Sequence, residues 1–136
     1  GGFDEVGYTS EEMKMQNEGR KIMHLPELRV NCTCVRVPTM RSHSESITVE
    51  FEQPLSPDEA RAILEEAPGV KVVDNPAELQ YPMPLDTSDQ DLIYVGRIRE
   101  DLSADKDTHA LTFFCCGDQI RKGAATNAVQ IAEYLL

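Results

Sequence analysis

In the stretch SITVEFEQP, Ile47, Val49 and Phe51 alternate strictly with Thr48, Glu50 and Glu52. A period of two puts every apolar side chain on one face of an extended chain. The segment is therefore a half-buried strand that needs a sheet beside it and a cover over one face. Carried backward, the same parity puts Glu45 and His43 on the apolar side. A second alternating run, LRVNCTCVRV at 28–37, sets Val30, Cys32 and Cys34 against Asn31 and Thr33, with Arg36 ending the apolar face. VKVVD, LIYVGRIRED and ALTFFCC read as further strands, the last two joined by a polar connection at 103–109.

Three segments have helical signals. In TSEEMKMQNEGRKIM, Thr9 and Glu12 stand three apart as a capping box, which predicts a helix to about Met23, short of Pro26. SPDEARAILEEAPG carries Ser56 as the cap, Pro57 at the first position, Glu59 to close the box, and Pro68-Gly69 as the stop. RKGAATNAVQIAEYLL reads as a terminal helix. In it Gly123, Ala124 and Ala125 allow close backbone approach, and Val129, Ala132 and Leu136 form an apolar stripe. Residues 75–91 hold Pro76, Pro82 and Pro84 and read as a long ordered loop. The order α, β, β, α, β, β, β, α predicts an α+β fold with a mostly antiparallel sheet.

The chain has 136 residues, one domain's worth, and a formal net charge of −11. That field repels nucleic-acid phosphates and acidic lipids, which argues against a nucleic-acid or membrane-surface role but does not forbid a local cationic pocket for a small anion. No apolar run approaches the roughly 20 residues of a spanning helix. The opening GGFDEVGYTS is acidic, unlike a signal peptide, and lacks an initiator Met, so a longer parent chain or a tag remnant is expected. Cys32 with Cys34 and Cys115 with Cys116 lack the two-residue gap of a zinc knuckle. They read as reduced structural thiols of a cytosolic protein.

Arg36 admits two readings: a strand-end arginine that packs its stem, or a bidentate clamp for a carboxylate or phosphate. His43, between Ser42 and Ser44, is a bystander or a proton shuttle, the role imidazoles take near neutral pH. Glu11 and Lys14 share a helical face as an exposed pair or as a site. Cys32 is declined as a nucleophile, because parity turns it toward the core without an activating cation. No glycine-rich dinucleotide loop is present. The residues alone support an α+β domain with a small-anion site.

Four stretches carry a resemblance: GYTSEEMKMQNEGRKIM, TCVRVPTMRSHSESITVEFEQPLS, YPMPLDTSDQDLIYVGRIRED and GDQIRKGAATNAVQIAEYLL. In order and spacing they resemble the C-terminal part of bacterial aspartate-semialdehyde dehydrogenases, most specifically through R-V-P-x-x-R-x-H-S-E-S. The resemblance implies the C-terminal fold of glyceraldehyde-3-phosphate-dehydrogenase-like enzymes, a mostly antiparallel mixed sheet with helices on one face. It implies that residues 1–121 belong to the catalytic and dimerisation domain. Residues 122–136 would then form a helix that packs on an NADP-binding domain outside this sequence. The family's nucleophilic cysteine also lies outside it, which supports leaving Cys32 and Cys34 out of the chemistry.

That family reduces aspartyl phosphate to aspartate semialdehyde with NADPH and releases phosphate, on the route to lysine, methionine and threonine. By resemblance, His43 is the acid/base, Arg36 holds the substrate carboxylate, Glu11 its ammonium and Lys14 its phosphate, while Gln119 contacts the cofactor. Arg41 supports the loop with no partner assigned. A cytoplasmic homodimer is implied, and these residues alone are expected to be inactive. Two alternatives stand beside this reading. One is a catalytically silent dimerisation module. The other is the sister N-acetyl-glutamyl-phosphate reductase, whose acetylated substrate has no ammonium for Glu11 to bind.

Overall fold

The computed structural model describes residues 2–105 and 107–136 and groups the chain into two compact units, Gly1–Pro38 and Thr39–Leu136. Gly1 in the polar opening and Lys106 in the 103–109 connection lie outside the described residues.

The first unit is built on helix α1, Ser10–Ile22. Its capping box forms as the sequence requires: the Thr9 hydroxyl accepts from the Glu12 amide at 3.3 Å, and the Glu12 carboxylate accepts from the Thr9 amide at 2.7 Å. The strand expected at 28–37 is not found; these residues form no ladder. They run along α1 instead. Arg20 Nε donates to the Leu28 carbonyl at 2.8 Å, Tyr8 Oη to Asn31 Oδ1 at 3.1 Å, and the Cys34 amide to Glu12 Oε1 at 2.8 Å. The alternation holds from Leu28 to Thr33, with Leu28, Val30 and Cys32 half-buried between exposed Arg29, Asn31 and Thr33, but it ends there: Cys34, expected on the covered face, is exposed. A helix provides the cover, and side chains satisfy the backbone where a neighbouring strand was expected.

The second unit holds a four-stranded sheet in the order β1-β4-β3-β2. Its strands are β1 (His43–Phe51), β2 (Val70–Val72), β3 (Ile93–Glu100) and β4 (His109–Gly117). β4 pairs antiparallel with both β1 and β3, and β2 lies parallel to β3. Helix α2, Pro57–Glu66, starts on the predicted Ser56–Glu59 box and covers one face, where Ala60 joins Val95, Ile98 and Leu111 as the buried core. Val49, Leu64, Val70 and Phe113 pack around that centre. Arg61 fastens the helix, its Nε on the almost fully buried Asp74 at 2.8 Å and its NH2 on the Ile98 carbonyl at 2.7 Å. Gly96 is required in β3: a Cβ there would stand 2.1 Å from the Val73 carbonyl oxygen.

The 75–91 segment is more ordered than a loop, with a 3₁₀ turn at Pro76–Glu78 and the one-turn helix α3 at Pro84–Thr87. The terminal helix begins with a π-type turn, Arg121–Ala125, and continues as α4, Thr126–Tyr134. Close approach does not explain Gly123, where an added Cβ would meet only the Gln119 side chain at 3.7 Å and the Asp118 carbonyl at 3.8 Å. The α4 stripe is uncovered, with Val129 58% and Leu136 fully exposed.

Candidate active site

On the first unit, Glu11 and Lys14 stand one turn apart on α1, with Lys14 Nζ 3.3 Å from Glu11 Oε1 and both side chains more than half exposed. Their neighbour Glu12 is buried, and its role exceeds capping. One carboxylate oxygen holds the Thr9 amide and the other the Cys34 amide. These two amides, with the Thr9 hydroxyl, hold the Glu12 carboxyl below the usual carboxylate range. Arg36 follows Cys34 by two residues, at most roughly 7 Å of chain. The Glu12–Cys34 bond therefore tethers exposed Arg36 to the first turn of α1, the turn that bears Glu11. Among the described residues no carboxylate is paired with the Arg36 guanidinium.

Cys32 is half-buried, with Sγ 3.8 Å from the Glu12 carbonyl oxygen, and burial pushes its thiol upward with Cys34 and Glu12 adding to the shift. A thiol held protonated beside a carboxylate is a poor nucleophile. No group of His, Cys, Asp or Glu among the described residues is arranged to hold a metal.

On the second unit, His43 is exposed and opens β1, paired in register with Gly117, the last residue of β4. A Cβ at Gly117 would lie 2.3 Å from Ile93 Cδ1, so a larger residue there requires the Ile93 side chain to move. Past the last backbone pair the two strands stay joined by side chains. The Ser42 amide donates to Gln119 Oε1 at 2.8 Å, and Thr87 Oγ1 donates to Ser42 Oγ at 2.9 Å. An amide N–H requires an oxygen acceptor, so this bond fixes the carboxamide orientation and leaves Gln119 Nε2 as the end that can donate to a ligand.

Arg41, left without a partner by sequence reasoning, is paired twice. NH2 lies 2.6 Å from Asp118 Oδ2, and NH1 meets Asp89. The Asp118 side chain is fully buried and also accepts from the amides of Asp89 at 2.8 Å, Ile120 at 2.9 Å and Arg121 at 3.3 Å. Burial drives its carboxyl upward, but the three amides and the Arg41 charge outweigh that and hold it below its ordinary value. Asp118, Thr87 and Ser42 went unnoticed in the sequence. One local signal was available: an aspartate opening GDQIR can cap the amides two and three residues on.

Comparison with known proteins follows the same residues. The family model described as "Semialdehyde dehydrogenase, dimerisation domain" matches residues 1–122. The aspartate-semialdehyde dehydrogenase of Prochlorococcus marinus is 55% identical over 129 residues, 95% of this chain and 37% of that relative. Its counterpart in Aquifex aeolicus is 52% identical over 134 residues, 98% of this chain and 38% of that one. The crystal structure of aspartate semialdehyde dehydrogenase II from Vibrio cholerae, complexed with ASA, superposes with a TM-score of 0.90 at 39% identity, over 98% of this chain and 38% of that one. The sequence thus spans between 37% and 38% of these relatives' length and corresponds to their C-terminal part. The chain belongs to the semialdehyde dehydrogenase dimerisation domain family.

Proposed function

We propose that these residues supply the substrate grip and the acid/base of an aspartate-semialdehyde dehydrogenase. In it aspartyl phosphate, NADPH and a proton become aspartate semialdehyde, NADP⁺ and phosphate. The observation that carries the reading is the first turns of α1: Glu11 and Lys14 stand there, and the Glu12–Cys34 bond brings Arg36 to the same end. A substrate with an ammonium, a carboxylate and a phosphate needs one anion and two cations, and this unit presents that set. Arg36 takes the carboxylate in a two-pronged pair, Glu11 the ammonium and Lys14 the phosphate. Binding would exchange the exposed Glu11–Lys14 pair for two pairs with the substrate.

His43 accepts a proton from the attacking thiol, which by resemblance lies outside this sequence, and later returns one to product. NADPH, when bound, supplies the hydride. Gln119 fits that group, since its locked carboxamide presents Nε2 as a donor for a carbonyl-type acceptor. The uncovered Val129, Ile131 and Leu135 on and after α4 suit residues 122–136 for packing on an NADP-binding domain. The family's description supports a homodimer. No helix among the described residues is long and apolar enough to cross a membrane, and the four free cysteines suit the cytoplasm.

The test is phosphate-dependent NADP⁺ reduction by the full-length parent chain, with aspartate semialdehyde or N-acetyl-glutamate semialdehyde as substrate. Preference for the free amine is expected. Glu11→Gln should lower kcat/KM by about tenfold to a hundredfold, the loss of a charged hydrogen bond. Preference for the acetylated substrate would instead identify the sister reductase, and no turnover of either would leave the silent module. The isolated 136 residues are expected to show no turnover.

A further inference from the structure

We propose that Asp118, Arg41 and Thr87 are positioning residues that set His43 and Gln119 as one rigid pair; this rests on the functional reading above. Arg41, Ser42 and His43 lie beside Gly117, Asp118 and Gln119 at the end of the β1–β4 ladder, where the pairing leaves the register of the strands. His43 faces Gly117 through the backbone ladder, Ser42 meets Gln119 through an amide bond, and Arg41 meets Asp118 through an ion pair. Side chains thus join the two segments past the end of the β1–β4 ladder with their partners crossed relative to its register, and Thr87 adds a bond to Ser42 from α3.

Two features show that the structure bears a cost here. Ser42 is buried with φ +77°, a left-handed conformation that is uncommon and costly for a residue with a side chain. Arg41 Nε is buried without a hydrogen-bond partner. The bonds from Gln119 and Thr87 grip Ser42 from both sides, and the Asp118 ion pair fixes the residue before it. Without them Ser42 relaxes to negative φ, and the chain leaves at a different angle. His43 is the next residue, so its imidazole changes direction. Gln119 loses the amide that orients its carboxamide at the same time. One rearrangement therefore misplaces both the proton carrier and the proposed cofactor contact.

The experiment uses the full-length dehydrogenase. Thr87→Val, near-isosteric, removes the hydroxyl that grips Ser42; Thr87→Ser retains it. Asp118→Asn weakens the Arg41 pair. Each variant is assayed for kcat and for the KM of aspartate semialdehyde, with a thermal melt as the folding control. Thr87→Val is expected to lower kcat about tenfold with KM changed less than about threefold, and Thr87→Ser to restore kcat. Asp118→Asn is expected to cost on the order of a hundredfold in kcat, the scale of an ångström's misplacement. Unchanged kcat with a lowered melting temperature would reduce the cluster to a structural brace and overturn the proposal. Should Asp118→Asn fail to fold, the two Thr87 variants decide alone. A wild-type enzyme that turns over while the Thr87 variants match it sinks only the positioning role. A wild type inactive on aspartate semialdehyde takes the functional reading down as well.

Discussion

Cys115 and Cys116 are adjacent in β4 and face opposite sides of the sheet. Cys115 packs against the core beside Glu45, and burial together with that carboxylate pushes its thiol up to about 12. Burial raises Cys116 as well, although Thr87 pulls the other way. Both are neutral thiols at any physiological pH, and only a thiolate alkylates quickly. Cys34, by contrast, is exposed. Iodoacetamide at about pH 8 should therefore label Cys34 first and reach Cys115 and Cys116 only after urea, as read by peptide mass mapping. Labelling of Cys115 at the rate of Cys34 would mean that the sheet opens around β4 in the native state.

At the level of elements, what could be read from sequence was whatever the chain settles within a few residues. Both capping boxes formed as spelled, because Thr9 with Glu12 and Ser56 with Glu59 need only a helical turn to meet. β1 does begin as early as His43, so the parity carried back from Ile47 reaches that residue. Alternation at 28–37 named the covered face correctly for Val30 and Cys32 but not for Cys34, which is exposed, and it named the covering element wrongly, since a period of two cannot tell a helix from a neighbouring strand. The Arg41–Asp118 pair spans 77 positions, and no local pattern announces it. Glu12 shows the same limit, being legible as a cap and illegible as the anchor of Cys34. That second role can be tested. Glu12→Gln has one acceptor oxygen for two amides, so one bond must fail. Hydrogen exchange at the Thr9 or the Cys34 amide should quicken by about tenfold, with β1 and β4 unaffected. Equal rates at both amides in variant and wild type would show that neither bond to Glu12 protects them.

For the molecule as a whole, the carboxylates define its response to acid. Asp91 is held at about 2 by hydrogen bonds from Arg121 and Thr126, with the Arg121 charge adding to them. Glu12 and Asp118 are also lowered. A carboxyl depressed on folding contributes stability that is complete above its unfolded value, about 4, and is lost as pH falls through the folded value. The urea midpoint should be level from about pH 7 to 5 and decline steadily from about pH 4 toward 2. A midpoint that stays level to about pH 2.5 would deny these carboxylates that role. The two-unit construction has a different consequence. Every residue assigned to holding substrate lies within Gly1–Pro38, while the residue assigned to moving protons and its supports lie within Thr39–Leu136. On the proposed assignment, substitutions in the first unit can change what is bound while the residues proposed to move protons stay as they are.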